Sequence, residues 1–283
     1  MAFEPIHEKR APVPPSAMKR SQMLSSGLTV RQDFRDSVRF VMFETGYEGW
    51  EYATDGGTAF LVSFRGTIYA LTCRHVLKNF EYRQLVITHR KSASKGGKIA
   101  GIAGVLYPSS PTGAAVDSDI LDVCVVKFVA EVDADFFESS AYIVDKNTIT
   151  TSQEGHRLLV AGALKDKSSI IEPDIKAGFC LLEYKDNGVT TSDPTVRNAI
   201  AEFRDPEFNS ITGLSGAPVY DHTANALCGM VVRGGMVGSR SMIYYIDMSD
   251  IYRVLDAAHH NLPTTAYTKG VIQKFRQGMV SRG

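Results

Sequence analysis

The chain has 283 residues, 44% of them hydrophobic, enough to bury a substantial core. Lys plus Arg and Asp plus Glu both number 31, so the formal charge is zero, which argues against a protein that binds nucleic acid over its whole surface, where a basic excess is the rule. No run approaches the roughly eighteen apolar residues of a membrane span; the longest, Ile120 to Val129, is interrupted by Asp122 and Lys127.

Residues 1–28 read as a disordered or loosely attached arm, with Pro5, Pro12, Pro14 and Pro15 and the basic pairs Lys9-Arg10 and Lys19-Arg20. Its prolines and charges leave no apolar centre of the kind a secretory signal needs. From Thr29 to Phe43 the residues Val30, Phe34, Val38, Val41 and Met42 fall roughly on one helical face, and a short helix or an irregular lead-in both fit. After Asp55-Gly56-Gly57 the texture changes to short apolar runs separated by turns. T-A-F-L-V-S-F and T-I-Y-A-L-T-C read as two strands joined tightly at Arg65-Gly66, and L-V-I-T, G-I-A-G-V-L-Y and D-V-C-V-V-K-F-V continue the pattern. R-L-L-V-A-G-A-L, G-F-C-L-L-E-Y, A-P-V-Y, A-L-C-G-M-V-V and S-M-I-Y-Y-I follow. The polar stretch from Asp186 to Asn209 reads as a loop region with one short helix around Thr195 to Phe203.

Many short strands without regular helices between them imply an antiparallel sandwich or barrels. Only Met248 to His260 reads clearly as a helix. Ser249 is its N-cap candidate, Ile251, Val254, Leu255 and Ala258 share a face, and Asn261 with Pro263 ends it. Residues 263–283 form a polar tail. Cys73, Cys124, Cys180 and Cys228 lie far apart inside apolar stretches and show no C-x-x-C spacing. They are expected to act as small hydrophobes. Disulfides, a zinc site and a cofactor are not expected, and a reduced, cytoplasmic location is.

Chemistry concentrates around T-G-L-S-G-A-P-V-Y-D, Thr212 to Asp221, where Ser215 stands between Gly213 and Gly216. Turns are rich in Gly, Ser and Pro for reasons unrelated to catalysis, so a reactive serine needs a base and a carboxylate elsewhere. Of seven histidines, His7, His89, His156, His222, His259 and His260 read as solvated. His75 directly follows I-Y-A-L-T-C-R, and a histidine at a strand exit is supported on one side and open on the other, as a general base requires. D-S-D-I-L-D-V-C-V-V-K-F offers Asp117, Asp119 and Asp122 as the acid. Asp122 sits at the mouth of the buried strand, where a charge wants a hydrogen-bonding partner; Asp119 has the opposite parity if the strand is extended, and Asp117 lies deeper in the loop.

G-T-A-F-L-V followed by Y-A-L-T-C-R-H-V resembles the strand pair that carries the histidine in trypsin-like (chymotrypsin-fold) serine peptidases. D-V-C-V-V-K is similar to that family's aspartate strand, G-L-S-G-A-P-V to its nucleophile loop, and A-L-C-G-M-V-V-R-G-G to the strand lining its substrate cleft. The order His, Asp, Ser is also the family's. The resemblance implies an all-β fold of two six-stranded antiparallel β-barrels, chymotrypsin-like, with a C-terminal helix. The protease domain would span residues 29–262, with the first barrel over 29–135, the second over 136–247 and the helix over 248–260.

It further implies a serine endopeptidase with His75, Asp122 and Ser215 as the triad and the amides of Gly213 and Ser215 as the oxyanion hole. Asn209 would lie at the base of the specificity pocket, with Val232, Arg233 and Gly234 along its wall and the substrate backbone. A neutral base suggests a neutral, small or medium side chain before the cut. Leu214, Ala217 and Val76 depart from the secreted members, which suits an intracellular bacterial or viral type and removes the aspartate that receives a newly cut N-terminus. The expected partner is a protein or peptide substrate, with a regulatory protein as a further option and no membrane.

Two other readings compete. One is a catalytically silent or partner-gated protein of the same fold that only binds. The other is a nucleic-acid or membrane-surface module using the arm and H-R-K-S-A-S-K-G-G-K, His89 to Lys98, whose basic residues, Lys91, Lys95 and Lys98 among them, could meet phosphates. The loop has no interleaved aromatics, so nucleic acid is the weaker reading. G-G-M-V-G lacks the strand–turn–helix setting of a phosphate loop, and Asp133 and Asp135 lack calcium-loop spacing.

Overall fold

The structure is a computed structural model. It describes residues 32–48, 50–77, 80–88, 99–108, 119–129, 141–171, 174–189, 193, 195–202 and 210–260. The chain divides into two units, Met1–Val30 and Arg31–Gly283, and every described residue lies in the second. The arm, the basic loop from His89 to Lys98, Asp117, Asp133, Asp135, Asn209 and the polar tail fall outside the described residues.

A short helix α1 (Gln32–Asp36) leads into β1 (Val38–Phe40), β2 (Met42–Tyr47) and β3 (Trp50–Ala53). β4 (Thr58–Phe64) and β5 (Thr67–Cys73) form the expected hairpin. Its corner residues Arg65 and Gly66 both have positive φ, 50° and 76°, the pair a tight two-residue hairpin turn needs to match strand twist. β6 (Leu85–Thr88), β7 (Ile99–Ala100), β8 (Ile102–Leu106), β9 (Val123–Phe128) and β10 (Tyr142–Ile143) complete the first half. In the second half come β11 (Arg157–Ala163), the short pair β12 (Ser169–Ile171) and β13 (Asp174–Lys176), β14 (Phe179–Val189) and β15 (Val196–Glu202). β16 (Pro218–Asp221), β17 (Ala226–Val237), β18 (Arg240–Asp247) and helix α2 (Met248–His260) follow.

The fold is all-β. In the second half β11, β14, β15, β18, β17 and β16 close into a barrel, which leaves no free edge to pair with another chain. In the first half the described pairings give one sheet in the order β1-β4-β5-β9-β8, with β10 beside β4, and a second in the order β3-β2-β6-β7. Side chains of Leu158, Val160, Leu182, Tyr184, Val219, Val231 and Tyr245 fill the barrel. Helix α2 buries Met248, Ile251, Val254, Leu255 and Ala258, the face its sequence marks, and packs on both β9 and β17. No described helix is long and apolar enough to cross a membrane.

One expectation fails locally. The helix expected near Thr195 to Phe203 is strand β15. Its Ala199 and Ala201 pack in the barrel core, and Arg197 is buried because it bonds Asp186 at 2.9 Å and the Tyr245 hydroxyl at 3.1 Å. A polar side chain with buried partners hides a strand from hydropathy alone. Between Thr29 and Phe43 helix ends by Asp36 and strands take over.

Candidate active site

Register sets the first half of the site. β5 and β9 run antiparallel with Cys73 opposite Val123, so the residues leaving β5 come out beside those entering β9. The chain turns at both places through single 3-10 segments, Arg74–Leu77 and Asp119–Asp122. This brings His75 to Asp122. The Asp122 carboxylate accepts from the His75 ring at Nδ1, 2.6 Å, and with its other oxygen from the His75 backbone N–H, 2.9 Å. Two hydrogen bonds to one residue fix both the position and the ring face of the imidazole, leaving Nε2 free of partners among the described residues. The His75 side chain is 46% exposed and that of Asp122 23%. Asp119 is not part of this pair: its carboxylate accepts from Arg233 Nε at 2.9 Å.

The serine loop is clamped from the other half. Gly213 and Gly216 have φ of +106° and +86°, conformations glycine adopts at no steric cost. A Cβ on Gly216 would stand 2.0 Å from the Thr58 carbonyl, and one on Gly213 would stand 2.3 Å from that of Ala163. The close approach is used. Thr58 N–H donates to the Ser215 carbonyl at 2.9 Å, and the Thr58 hydroxyl donates to the Gly213 carbonyl at 2.7 Å. The Val231 carbonyl accepts from both Gly216 N–H, 2.8 Å, and the Cys73 thiol, 3.3 Å. One oxygen therefore ties the residue after Ser215 to a residue two before His75.

Two further backbone bonds orient two amides. In a trans peptide the C=O and the following N–H point in opposite directions. The Thr212 carbonyl accepts from Lys165 N–H at 2.8 Å and the Leu214 carbonyl from Ala217 N–H at 2.8 Å. Their partner groups, Gly213 N–H and Ser215 N–H, are thereby turned away from those contacts. Neither donates a hydrogen bond among the described residues, whereas Leu214 N–H and Gly216 N–H are both engaged inward. The Ser215 hydroxyl is likewise without a hydrogen bond among the described residues.

Leu214 is 2% exposed and packs in the core of the second barrel. Gly162 makes room for it: a Cβ there would fall 2.7 Å from the Leu214 Cδ2. The loop thus has an apolar anchor where the secreted members named above carry an acid.

A cavity of about 400 Å³ opens beside the serine, lined by Ser215, Gly213, Thr212 and Ser210 on one wall and by Val231, Arg233, Gly234 and Gly235 on another. Of the residues the sequence suggests for the pocket wall, Arg233 and Gly234 line this cavity. Val232 is not among the lining residues: it is buried, 1% exposed, where β17 shifts register between Val231 and Arg233. Asn209 lies outside the described residues.

Thr58, Thr72, Cys73 and Lys165 escape sequence reasoning. Thr72 donates to the Thr58 carbonyl at 2.8 Å and so braces the brace. The ligating atoms of Cys73, His75 and Asp122 lie within 4.8 Å of one another. Burial, and secondarily Asp122, pushes the Cys73 thiol well above its ordinary range, so it stays protonated and donates to the Val231 carbonyl. Of the histidines read as solvated, His156 is bonded through Nδ1 to the buried Asp221 at 2.7 Å, and His259 through Nδ1 to the Tyr69 hydroxyl at 3.0 Å.

A closed β-barrel joined to a second set of antiparallel sheets, with a His–Asp pair in one half and a glycine-flanked serine loop in the other, defines the chymotrypsin-like class of folds. The chain belongs to the trypsin-like peptidase domain family, which matches residues 57–230, more than half its length. Among solved structures it is similar to that of a thermostable serine protease, AL20, from an extremophilic microorganism, with a TM-score of 0.52 at 12% identity over 80% of this chain and 98% of that one. At that identity the likeness is one of fold. No curated protein sequence matches the chain.

Proposed function

We propose that the protein is a serine endopeptidase acting through an acyl-enzyme. Ser215 Oγ attacks the scissile carbonyl carbon while its proton passes to His75 Nε2; the tetrahedral intermediate then collapses, the C–N bond breaks, and His75 gives that proton to the leaving amine. Water, deprotonated by His75, releases the acyl group in a second round. Asp122 keeps the Nδ1 proton in place and stabilises the imidazolium. The developing oxyanion is received by Gly213 N–H and Ser215 N–H, each worth roughly 2.7–4 kcal/mol in the transition state. The substrate is a protein or peptide, and four unpaired cysteines, Cys73, Cys124, Cys180 and Cys228, support a reducing, cytoplasmic setting.

The observation that carries this reading is the pair of amides left without acceptors beside a serine whose hydroxyl is also unengaged. Labelling with a fluorophosphonate tests it. Folded wild type should label, while heat-denatured protein and the Ser215→Ala and His75→Ala variants should not. Folded wild type that stays unlabelled overturns the reading. A second reading, a silent or partner-gated scaffold, is favoured by one observation: His75 and Ser215 share no hydrogen bond here. Resting enzymes often tighten that contact only around substrate.

A further inference from the structure

Arg233 is the one charged group among the described residues that line the cavity beside Ser215. It is held from two directions. Its Nε donates to Asp119 at 2.9 Å, and its guanidinium carbon lies 4.1 Å from the centroid of the Tyr244 ring. Tyr244 stands opposite Arg233 in the β17–β18 pairing, so the sheet itself supplies the stacking surface. Cation–π stacking and a single ion-pair contact both restrict a long side chain. Nε is the only Arg233 nitrogen with a hydrogen bond among the described residues. The edge formed by its two terminal nitrogens remains available, and that edge matches a carboxylate bidentately.

The opposite wall adds a second donor. Ser210 Oγ donates to Thr212 Oγ1 at 3.0 Å, which leaves the Thr212 hydroxyl proton free to point elsewhere. A fixed cation and a hydroxyl facing one cavity are a carboxylate-binding set. The sequence, which shows only a neutral residue at the expected base, suggests a neutral side chain before the cut; the cation on the wall changes that expectation. Asp119 offsets part of the charge, but it binds a different edge of the guanidinium and does not occupy the terminal nitrogens.

We propose that Arg233 determines specificity by binding a carboxylate side chain, Glu or Asp, of a peptide seated in this cavity. The proposal rests on the reading of the site as a peptidase site, with the cavity receiving the residue before the scissile bond. Asp119 and Tyr244 position Arg233 for that contact.

The test compares peptide amides that differ only in Glu or Gln at the residue before the cleavage point, at fixed ionic strength. Turnover is measured on the full chain, and binding on its Ser215→Ala variant by calorimetry. With Arg233 half-exposed, the expected preference for Glu is about tenfold, the lower end for a charge-assisted hydrogen bond. In Arg233→Gln the Glu-to-Gln ratio should fall to near one, while Arg233→Lys should keep part of it, a point charge without the fork. Equal handling of Glu and Gln peptides by the wild type, in binding and in turnover alike, overturns the proposal, as does a preference that survives Arg233→Gln. A Glu preference in binding with no turnover and no phosphonate labelling would sustain the carboxylate site and sink the peptidase reading, so the two failures are distinct.

Discussion

The hydroxyl of Thr58, at the start of a strand in the first half, donates to the carbonyl of Gly213 in the serine loop of the second at 2.7 Å, across 155 positions of sequence. The same oxygen accepts from Ala163 N–H at 2.9 Å. Thr58 is fully buried, so water cannot replace either bond. In Thr58→Val the shape is kept and two groups lose their partner, at roughly 1–3 kcal/mol each. The urea midpoint should fall accordingly, and phosphonate labelling of Ser215 should slow because the Gly213 peptide loses its tether. Thr58→Ser should restore most of both. A Thr58→Val protein as stable and as reactive as wild type would show that the tether is idle.

Glycines of the site differ sharply in what they tolerate. Gly216→Ala places a methyl 2.0 Å from the Thr58 carbonyl at a φ of +86°, and neither backbone can yield without parting the serine loop from the first half. It should be among the rare substitutions costing more than about 4 kcal/mol, seen as loss of cooperative unfolding or of soluble protein. Gly235→Ala, on the cavity wall with nothing within 4 Å of its Cβ, should fold with a midpoint close to wild type. Equal damage from the two would sink the close-approach account.

Asp122 accepts two hydrogen bonds from His75, one with each carboxylate oxygen. A carboxamide in its place has only one accepting oxygen. With that oxygen on the backbone N–H, its NH2 faces Nδ1 and the ring is held in the wrong tautomer. Asp122→Asn should therefore lower kcat on the order of 10⁴-fold, as in the template triad, with little change in thermal stability. Asp119→Asn should cost far less, because that acid touches Arg233 and not the imidazole. Comparable losses from both would return the assignment of the acid to an open question.

Asp250, in the first turn of helix α2, has its carboxyl raised to about 6, mainly by burial, with Asp247 and Asp193 adding to the rise and Arg253 opposing it. A carboxyl raised by folding holds a proton that the unfolded chain, near its ordinary value of about 3.9, has released. Folding takes that proton up between about pH 4 and 6, so this group's contribution to stability declines as pH rises through that window and stays low above it. Asp250→Asn should gain stability relative to wild type across the same window, reaching a plateau above about pH 6. Urea midpoints of both proteins at several pH values read the difference directly; a constant difference refutes the assignment.

His75, Ser215 and the aspartate segment were legible because each stands where an apolar strand meets polar residues, and because their order is that of one family. Thr58 was not legible. Nothing about a threonine opening a strand announces that its hydroxyl reaches Gly213, since that contact exists only once the two halves are joined. Strand β15 was hidden by Arg197, whose buried partners Asp186 and Tyr245 come from other strands. Three consecutive residues do not form one wall, because β17 carries a register shift between Val231 and Arg233: Val231 pairs with Tyr245 in the barrel core, Arg233 pairs with Tyr244, and Val232 between them is buried.

The Val231 carbonyl that holds Cys73 and Gly216 together, with the paired contacts of Thr58, makes the reactive shape of the serine loop a joint property of two halves that each supply only part of it. Anything that parts the two halves at these contacts therefore slackens Gly213 and Ser215 together.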